Sequence, residues 1–74
     1  MKLQTMRKSK LMTQKELAAL SGVPLRTVQQ YETGARNING ASLTTLCNMA
    51  LVLDVKFYDL LEDESLIVKI KATL

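Results

Sequence analysis

The sequence contains no histidine and only one cysteine among its 74 residues. Without histidine, and with a single thiol, the chain lacks the ligand sets of the usual structural and catalytic zinc sites. One cysteine also excludes a disulfide within the chain, so Cys47 is expected to fill space in or near the core of a protein from a reducing compartment. We therefore predict no metal site and no cofactor.

Glycine, proline and long apolar runs are also scarce, with three glycines and one proline in the chain. No glycine-rich loop could cradle a phosphate, and no cysteine or carboxylate lies in an evident catalytic context, so we expect no enzymatic activity. The longest apolar run, residues 49–53, is far shorter than the ~20 residues that cross a membrane. With no secretory signal at its start, the chain is expected to be cytoplasmic, with no membrane segment.

The net charge of +3 is modest, but its distribution along the chain is uneven. Residues 1–39 carry seven basic and two acidic side chains, whereas residues 40–74 carry three basic and five acidic ones. A basic surface suits a polyanion such as nucleic acid. The charge pattern therefore makes the first half of the chain the part that is suited to contact a nucleic acid.

Apolar spacing and capping residues predict helices in that half. Leu3 and Met6, three residues apart, indicate a helix over residues 2–9. Leu11, in the connector that follows, is expected to turn inward. The chain is short enough for one domain only.

The second and third helices are joined closely. Thr13 and Glu16 have the spacing of a capping box, which opens a helix that Gly22 would close. Pro24 suits the start of a further helix over residues 24–33, because its fixed φ is already helical. About three residues, including a glycine, therefore connect two short helices, which is the arrangement of a helix-turn-helix unit.

The second half of the chain predicts two more helices and one strand. Asn39 or a neighbour would cap a fourth helix, whose predicted inner face comprises Leu43, Leu46, Cys47, Ala50 and Leu53. Residues 56–61 favour a short fifth helix that buries Phe57, Leu60 and Leu61. Alternation of apolar residues with lysines over residues 68–72 favours a short strand. Since one strand cannot stand alone, we expect it to pair with the same strand of a second copy.

The motif residues together carry a resemblance to a known family. They are Thr13-Gln14-Lys15-Glu16-Leu17-Ala18, Ser21-Gly22-Val23, Val28, Tyr31-Glu32-Thr33-Gly34 and Arg36, and then Leu43, Leu46, Ala50, Leu53, Val55 and Asp59-Leu60-Leu61. With this spacing, residues 3–61 resemble the phage-repressor-like helix-turn-helix domains of the Cro/C1, or XRE, class. Two features depart from the commonest pattern: Pro24 replaces a frequent Ser or Thr cap, and the loop after Arg36 is longer.

The resemblance implies an all-α, compact five-helix domain over residues 1–61, in which the second and third helices read DNA. It also implies homodimers, and often a role in repression. Residues 62–74 match nothing general in the family. We expect this C-terminal extension to contribute to dimerisation, so that deleting residues 65–74 would weaken it.

The outward face of the third helix holds the candidate base-reading residues, namely Leu25, Arg26, Thr27, Gln29 and Gln30. In this docking mode, the first residues of the recognition helix reach base edges in the major groove. Arg26 can bind guanine O6 and N7 with two hydrogen bonds, and Gln30 can pair with adenine or contact a phosphate. Leu25 could equally pack on a thymine methyl group or simply cover the start of the helix.

Five further residues are candidates for phosphate contacts: Gln14, Thr33, Arg36, Asn37 and Asn39. Gln14 lies in the first turn of a helix, where free amides attract anions. The family places the segment after the recognition helix along the phosphate backbone, although both asparagines could instead turn or cap the chain. The family also pairs the arginine at position 7 with the glutamate at position 32, so Arg7 is expected to form a structural ion pair with Glu32.

The leading interpretation is a sequence-specific regulator of transcription that binds double-stranded DNA as a homodimeric repressor. A regulator of phage or mobile-element type and the antitoxin of a toxin–antitoxin pair, with a toxin as partner, both fit the sequence. An alternative from another class is a protein-interaction module that has kept the fold but no longer binds DNA. The polar outer face of the third helix, which has no acid before Glu32, favours DNA.

Overall fold

Helices make up all the regular structure of the computed structural model, which describes residues 1–74. The five α-helices are α1 (Lys2–Ser9), α2 (Gln14–Ser21), α3 (Leu25–Thr33), α4 (Leu43–Leu53) and α5 (Glu64–Ala72), with 3-10 turns at Ile38–Gly40 and Phe57–Leu60. The predicted all-α, five-helix class with a helix-turn-helix unit is confirmed. No helix of the structure is long and apolar enough to cross a membrane.

The helix-turn-helix unit begins and ends where the local signals predicted. The Thr13 hydroxyl accepts from the Glu16 amide, and the Glu16 carboxylate accepts from the Thr13 amide, each at 3.0 Å. Gly22 and Gly34 end α2 and α3 with φ values of 74° and 82°, which glycine adopts without a steric penalty. Pro24 is the N-cap of α3, one residue before the helix itself.

A single apolar core joins these elements. Helix α2 packs on α3 and α4, and α4 packs on the 3-10 turn Phe57–Leu60. The largest fully buried side chains are distributed along the chain from α1 to the residue after this turn: Leu3, Leu17, Val28, Ile38, Met49, Leu53, Leu60 and Leu61. The core therefore fixes the angle at which α3 is presented.

Helix α4 differs from its predicted inner face at two positions. Leu46, Ala50 and Leu53 are buried, together with Met49, but Leu43 is 60% exposed and Cys47 is only partly buried. Leu43 is the first residue of α4 and lines a surface groove. Ser42, not Asn39, caps α4 by accepting from the Thr45 amide.

The C-terminal expectations were partly wrong. The short helix expected over residues 56–61 is a 3-10 helix at residues 57–60, where Leu60 and the following Leu61 are buried as predicted but Phe57 is only partly buried. Residues 68–72 belong to α5 and not to a strand. The Asp63 side chain caps α5. Ile67 is buried and Ile70, one helical turn later, packs against the core, so the buried side chains of this segment recur with the period of a helix.

The connector between α1 and α2 also turns the opposite way to the prediction. Leu11 is 92% exposed and has a positive φ of 55°. The Arg7 guanidinium donates to the Met12 carbonyl at 2.7 Å, and the Met12 amide donates to the Arg7 carbonyl. These bonds close the turn so that Met12 packs against the core and Leu11 points to solvent.

Candidate nucleic-acid interface

Helix α3 has one buried face and one polar face. Val28, Tyr31 and Glu32 are buried. Arg26, Gln29, Gln30 and Thr33 follow the spacing that places residues on one side of a helix, and of these Gln30 alone is partly buried. The two other candidates, Leu25 and Thr27, are partly buried, and Leu25 packs against the margin of the core.

The polar face of α3 carries no free carboxylate. The helix contains one acid, Glu32, and its side chain is turned into the protein, where it is 1% exposed. Neither Arg26 nor Arg36 is part of an ion pair, because the two salt bridges of the structure are Arg7–Glu32 and Lys2–Glu64. No carboxylate of α3 itself therefore opposes an anionic ligand on this face.

Glu32 joins three helices. The Arg7 guanidinium donates to both carboxylate oxygens, at 2.7 and 2.9 Å, and the Gln14 amide adds a bond of 3.0 Å. Burial acts to raise the pKa of Glu32, but the hydrogen bonds from Arg7 and Gln14 and the charge of Arg7 hold that pKa below its ordinary value of 4.5. The same pairing raises the pKa of Arg7. The network fixes α3 against α1 and α2.

Gln14 therefore does two things at the start of α2. Its side-chain amide is oriented by Glu32, and its backbone amide and that of Lys15 have no acceptor within the chain. Free amides at a helix start are suited to bind a phosphate oxygen. The sequence indicated that Gln14 lies at a helix start. Its hydrogen bond to Glu32 could not be predicted from local patterns, because the two residues are 18 positions apart.

The segment after α3 brings the other candidates to the same end of the helix. Arg36 and Asn37 are exposed, and the Arg36 amide donates to the Gln30 carbonyl, which holds the segment against α3. The Thr33 hydroxyl accepts from the Ala35 amide. The Asn39 side-chain oxygen turns away from this end and accepts from the amides of residues 62 and 63, at 2.8 and 3.0 Å.

Comparison with protein families agrees with this geometry. A family model for helix-turn-helix domains of the Cro/C1 type matches residues 3–60. The chain belongs to the XRE family of helix-turn-helix proteins. The family consists of DNA-binding regulators of transcription. Comparisons with curated proteins and with solved structures give no match.

The match to the XRE family stops just before the C-terminal extension. Helix α5 nevertheless packs on the same core, since Ile67 is buried and Leu66 and Ile70 lie against it. Asn39 links the loop beside α3 to the residues that precede α5. Sequence reasoning missed this link because the partners lie more than 20 residues apart in the chain.

Proposed function

We propose that the chain is a sequence-specific repressor that places α3 in the major groove of double-stranded DNA and acts as a homodimer. The observation that carries the proposal is the outward row Arg26, Gln29, Gln30 and Thr33 on the second helix of a helix-turn-helix unit, with the only acid of α3 turned inward. A repressor of this kind excludes other proteins from the site that it occupies.

Base recognition is assigned to the first two turns of α3. An arginine at position 26 can donate two hydrogen bonds to guanine O6 and N7, and glutamines at 29 and 30 can pair with adenine N6 and N7. Thr27 and the exposed part of Leu25 lie at the helix start, where methyl groups can contact that of thymine.

Phosphate contacts are assigned to both flanks of α3. On one side, the free amides of α2 and the side chain of Gln14 face a phosphate. On the other, Thr33, Arg36 and Asn37 follow the backbone of the other strand. The side-chain oxygen of Asn39 is occupied by the start of α5, which leaves its NH2 group for a phosphate and gives the residue a second role in positioning the loop.

Selection from random duplex DNA at two salt concentrations tests the proposal. The wild type should enrich a palindromic motif. Arg26→Ala should lose preference at one base pair per half-site, by about 1–3 kcal/mol, whereas Arg36→Ala should weaken binding to all sequences and lower the salt slope by about 1. Both arginines are exposed and unpaired, so each variant controls for the other.

A folded wild type that enriches no sequence at either salt concentration would contradict the proposal. It would favour the protein-interaction module, because an electrostatic contact with phosphates must strengthen as salt is lowered. Circular dichroism on each variant shows whether a loss of binding reflects a loss of helix. Gln30→Ala, added to Arg26→Ala, should blur a second position of the motif.

A further inference from the structure

The exposed side of α4 is uncharged, and one flank of it is apolar, beside the exposed polar residues Thr44 and Asn48. Leu43 is 60% exposed, Leu51 is 80% exposed, and Cys47 between them is partly exposed. A spacing of four residues places the three side chains in one row along the helix. No charged residue occurs anywhere from Asn37 to Leu53. We call this row, Leu43, Cys47 and Leu51, the α4 stripe.

One apolar groove lies beside each end of the α4 stripe. The groove between α4, the 3-10 turn and α5 has a volume of about 360 Å³ and is lined chiefly by Leu43, Leu46, Phe57, Leu61, Leu66 and Ile70. The groove at the other end of the stripe has a volume of about 240 Å³ and is lined by Cys47, Ala50, Leu51, Val55 and Phe57, with Lys56. The exposed leucines of the stripe thus lie next to apolar grooves.

We infer that a second copy of this chain covers the α4 stripe, with the two α4 helices antiparallel across a two-fold axis near Cys47. The inference rests on the homodimer of the proposed function and names its interface. In an isologous contact a surface must complement itself. The stripe does so, because reversing it opposes Leu43 to the second copy's Leu51 and Cys47 to its Cys47. Each leucine then lies over a groove of the other copy.

Charge favours the same arrangement. Each copy has a net charge of +3, so a contact through basic side chains would add repulsion at close range, and the uncharged α4 stripe adds none. The antiparallel pairing also brings the exposed Asp54, which follows the C-terminus of α4, beside the N-terminus of the opposite α4. A carboxylate is stabilised at that end of a helix by the free amides and the helix dipole.

The area that a stable dimer needs defines the rest of the interface. A standard interface covers ~800 Å² on each partner, about one sixth of the 4599 Å² surface of this chain. Helix α4, with 11 residues, is only ~16 Å long and too small to supply that area. The contact must therefore extend over the groove walls, onto Phe57 on the 3-10 turn and onto Ile70 and the exposed Leu74 at the end of α5.

Sedimentation equilibrium on the full chain without DNA tests the interface. We expect a dimer for the wild type and a dissociation constant raised roughly 100-fold or more in Leu51→Glu, since each dimer buries two of these leucines, one on each side of its two-fold axis. Leu20→Glu is the matched control: Leu20 is a 66% exposed helical leucine on α2, outside the stripe, and its variant should remain a dimer.

A second measurement does not depend on a destabilising substitution. A short bismaleimide should link two wild-type chains through Cys47. It should not link chains of Cys47→Ser with Thr5→Cys, which carry one exposed thiol on α1. A wild type that stays monomeric, or a folded Leu51→Glu that stays dimeric, would overturn the inference. A folded Leu51→Glu that stays dimeric would overturn the interface alone, whereas a monomeric wild type would contradict the homodimer of the proposed function as well. A palindromic motif in the DNA selection, obtained with the wild type, supports the proposed function whatever the interface is.

Discussion

At the scale of single residues, Arg7 shows how far charge alone can mislead. It lies in the basic half of the chain, yet its guanidinium is 9% exposed and donates to Glu32 and to the Met12 carbonyl. A planar guanidinium matches both oxygens of a carboxylate, which a lysine cannot do. The residue therefore holds α3 and the connector before α2 in place.

Replacing Arg7 with methionine should lower the free energy of unfolding by about 3–5 kcal/mol, because it leaves the Glu32 carboxylate buried with only Gln14 as a partner. A domain of this size has roughly 4–11 kcal/mol of stability in total, so the variant should lose a large part of it. Urea unfolding followed by circular dichroism measures the change.

The Lys2–Glu64 pair provides the control for Arg7→Met. Its partners are 34% and 77% exposed, and the bridge is 3.0 Å long. Lys2→Met should therefore change the stability by about 0–1 kcal/mol. Equal effects of the two substitutions would show that the Arg7–Glu32 network is no more important than a surface ion pair.

At the scale of elements, the connectors decide how the helices meet. Two of the four residues with positive φ are the glycines that end α2 and α3, and a Cβ there would meet no atom within 4 Å. The other two are Leu11 and Asp54. Aspartate visits the left-handed region more readily than leucine does. Leu11 therefore has a strained backbone and an exposed side chain at the same position.

Leu11→Gly should raise the free energy of unfolding by about 1 kcal/mol, because the strain of the left-handed leucine exceeds the flexibility that glycine adds to the unfolded chain. Leu20→Gly should lower it by a similar amount, since Leu20 lies within α2, where glycine is a poor helix former. Thermal and urea unfolding of both variants test the pair. A destabilised Leu11→Gly would mean that the exposed side chain makes a stabilising contact.

At the scale of the whole molecule, three carboxylates make the free energy of unfolding depend on pH. Thr13 lowers the pKa of Glu16 through hydrogen bonds, Ser65 and the Leu66 amide lower that of Asp63, and Arg7 and Gln14 outweigh burial to lower that of Glu32. Each group binds its proton less readily in the folded chain than in the unfolded one. Its contribution is thus complete above its ordinary pKa and is lost as pH falls through the folded value.

The free energy of unfolding should therefore be nearly level from pH 7 to about pH 5 and should fall below that, with the decline setting in near the ordinary glutamate value of 4.5. Glu32→Gln removes the buried carboxylate, so this variant should be less stable at pH 7 and lose less on acidification. Urea titrations at several pH values compare the two proteins. Parallel curves for them would show that Glu32 does not contribute to the pH dependence.

The fold and most of the candidate site followed from local signals. Caps and glycines gave the limits of α2 and the end of α3, and apolar spacing gave the buried side chains of those helices. The outward position of Arg26 and Gln29 followed from the same periodicity. Local patterns gave the wrong direction for Leu11 and the wrong structure for residues 68–72, where alternating and helical spacing overlap in a short segment.

The sequence by itself determined that the chain forms short helices with a helix-turn-helix unit, because capping, glycine conformation and helical spacing act between residues close in the chain. Only the tertiary structure decided that Gln14 and Arg7 share Glu32, that Asn39 holds the start of α5, and that α4 leaves Leu43 and Leu51 uncovered. These contacts join or expose residues far apart in the chain, and they depend on how the helices pack.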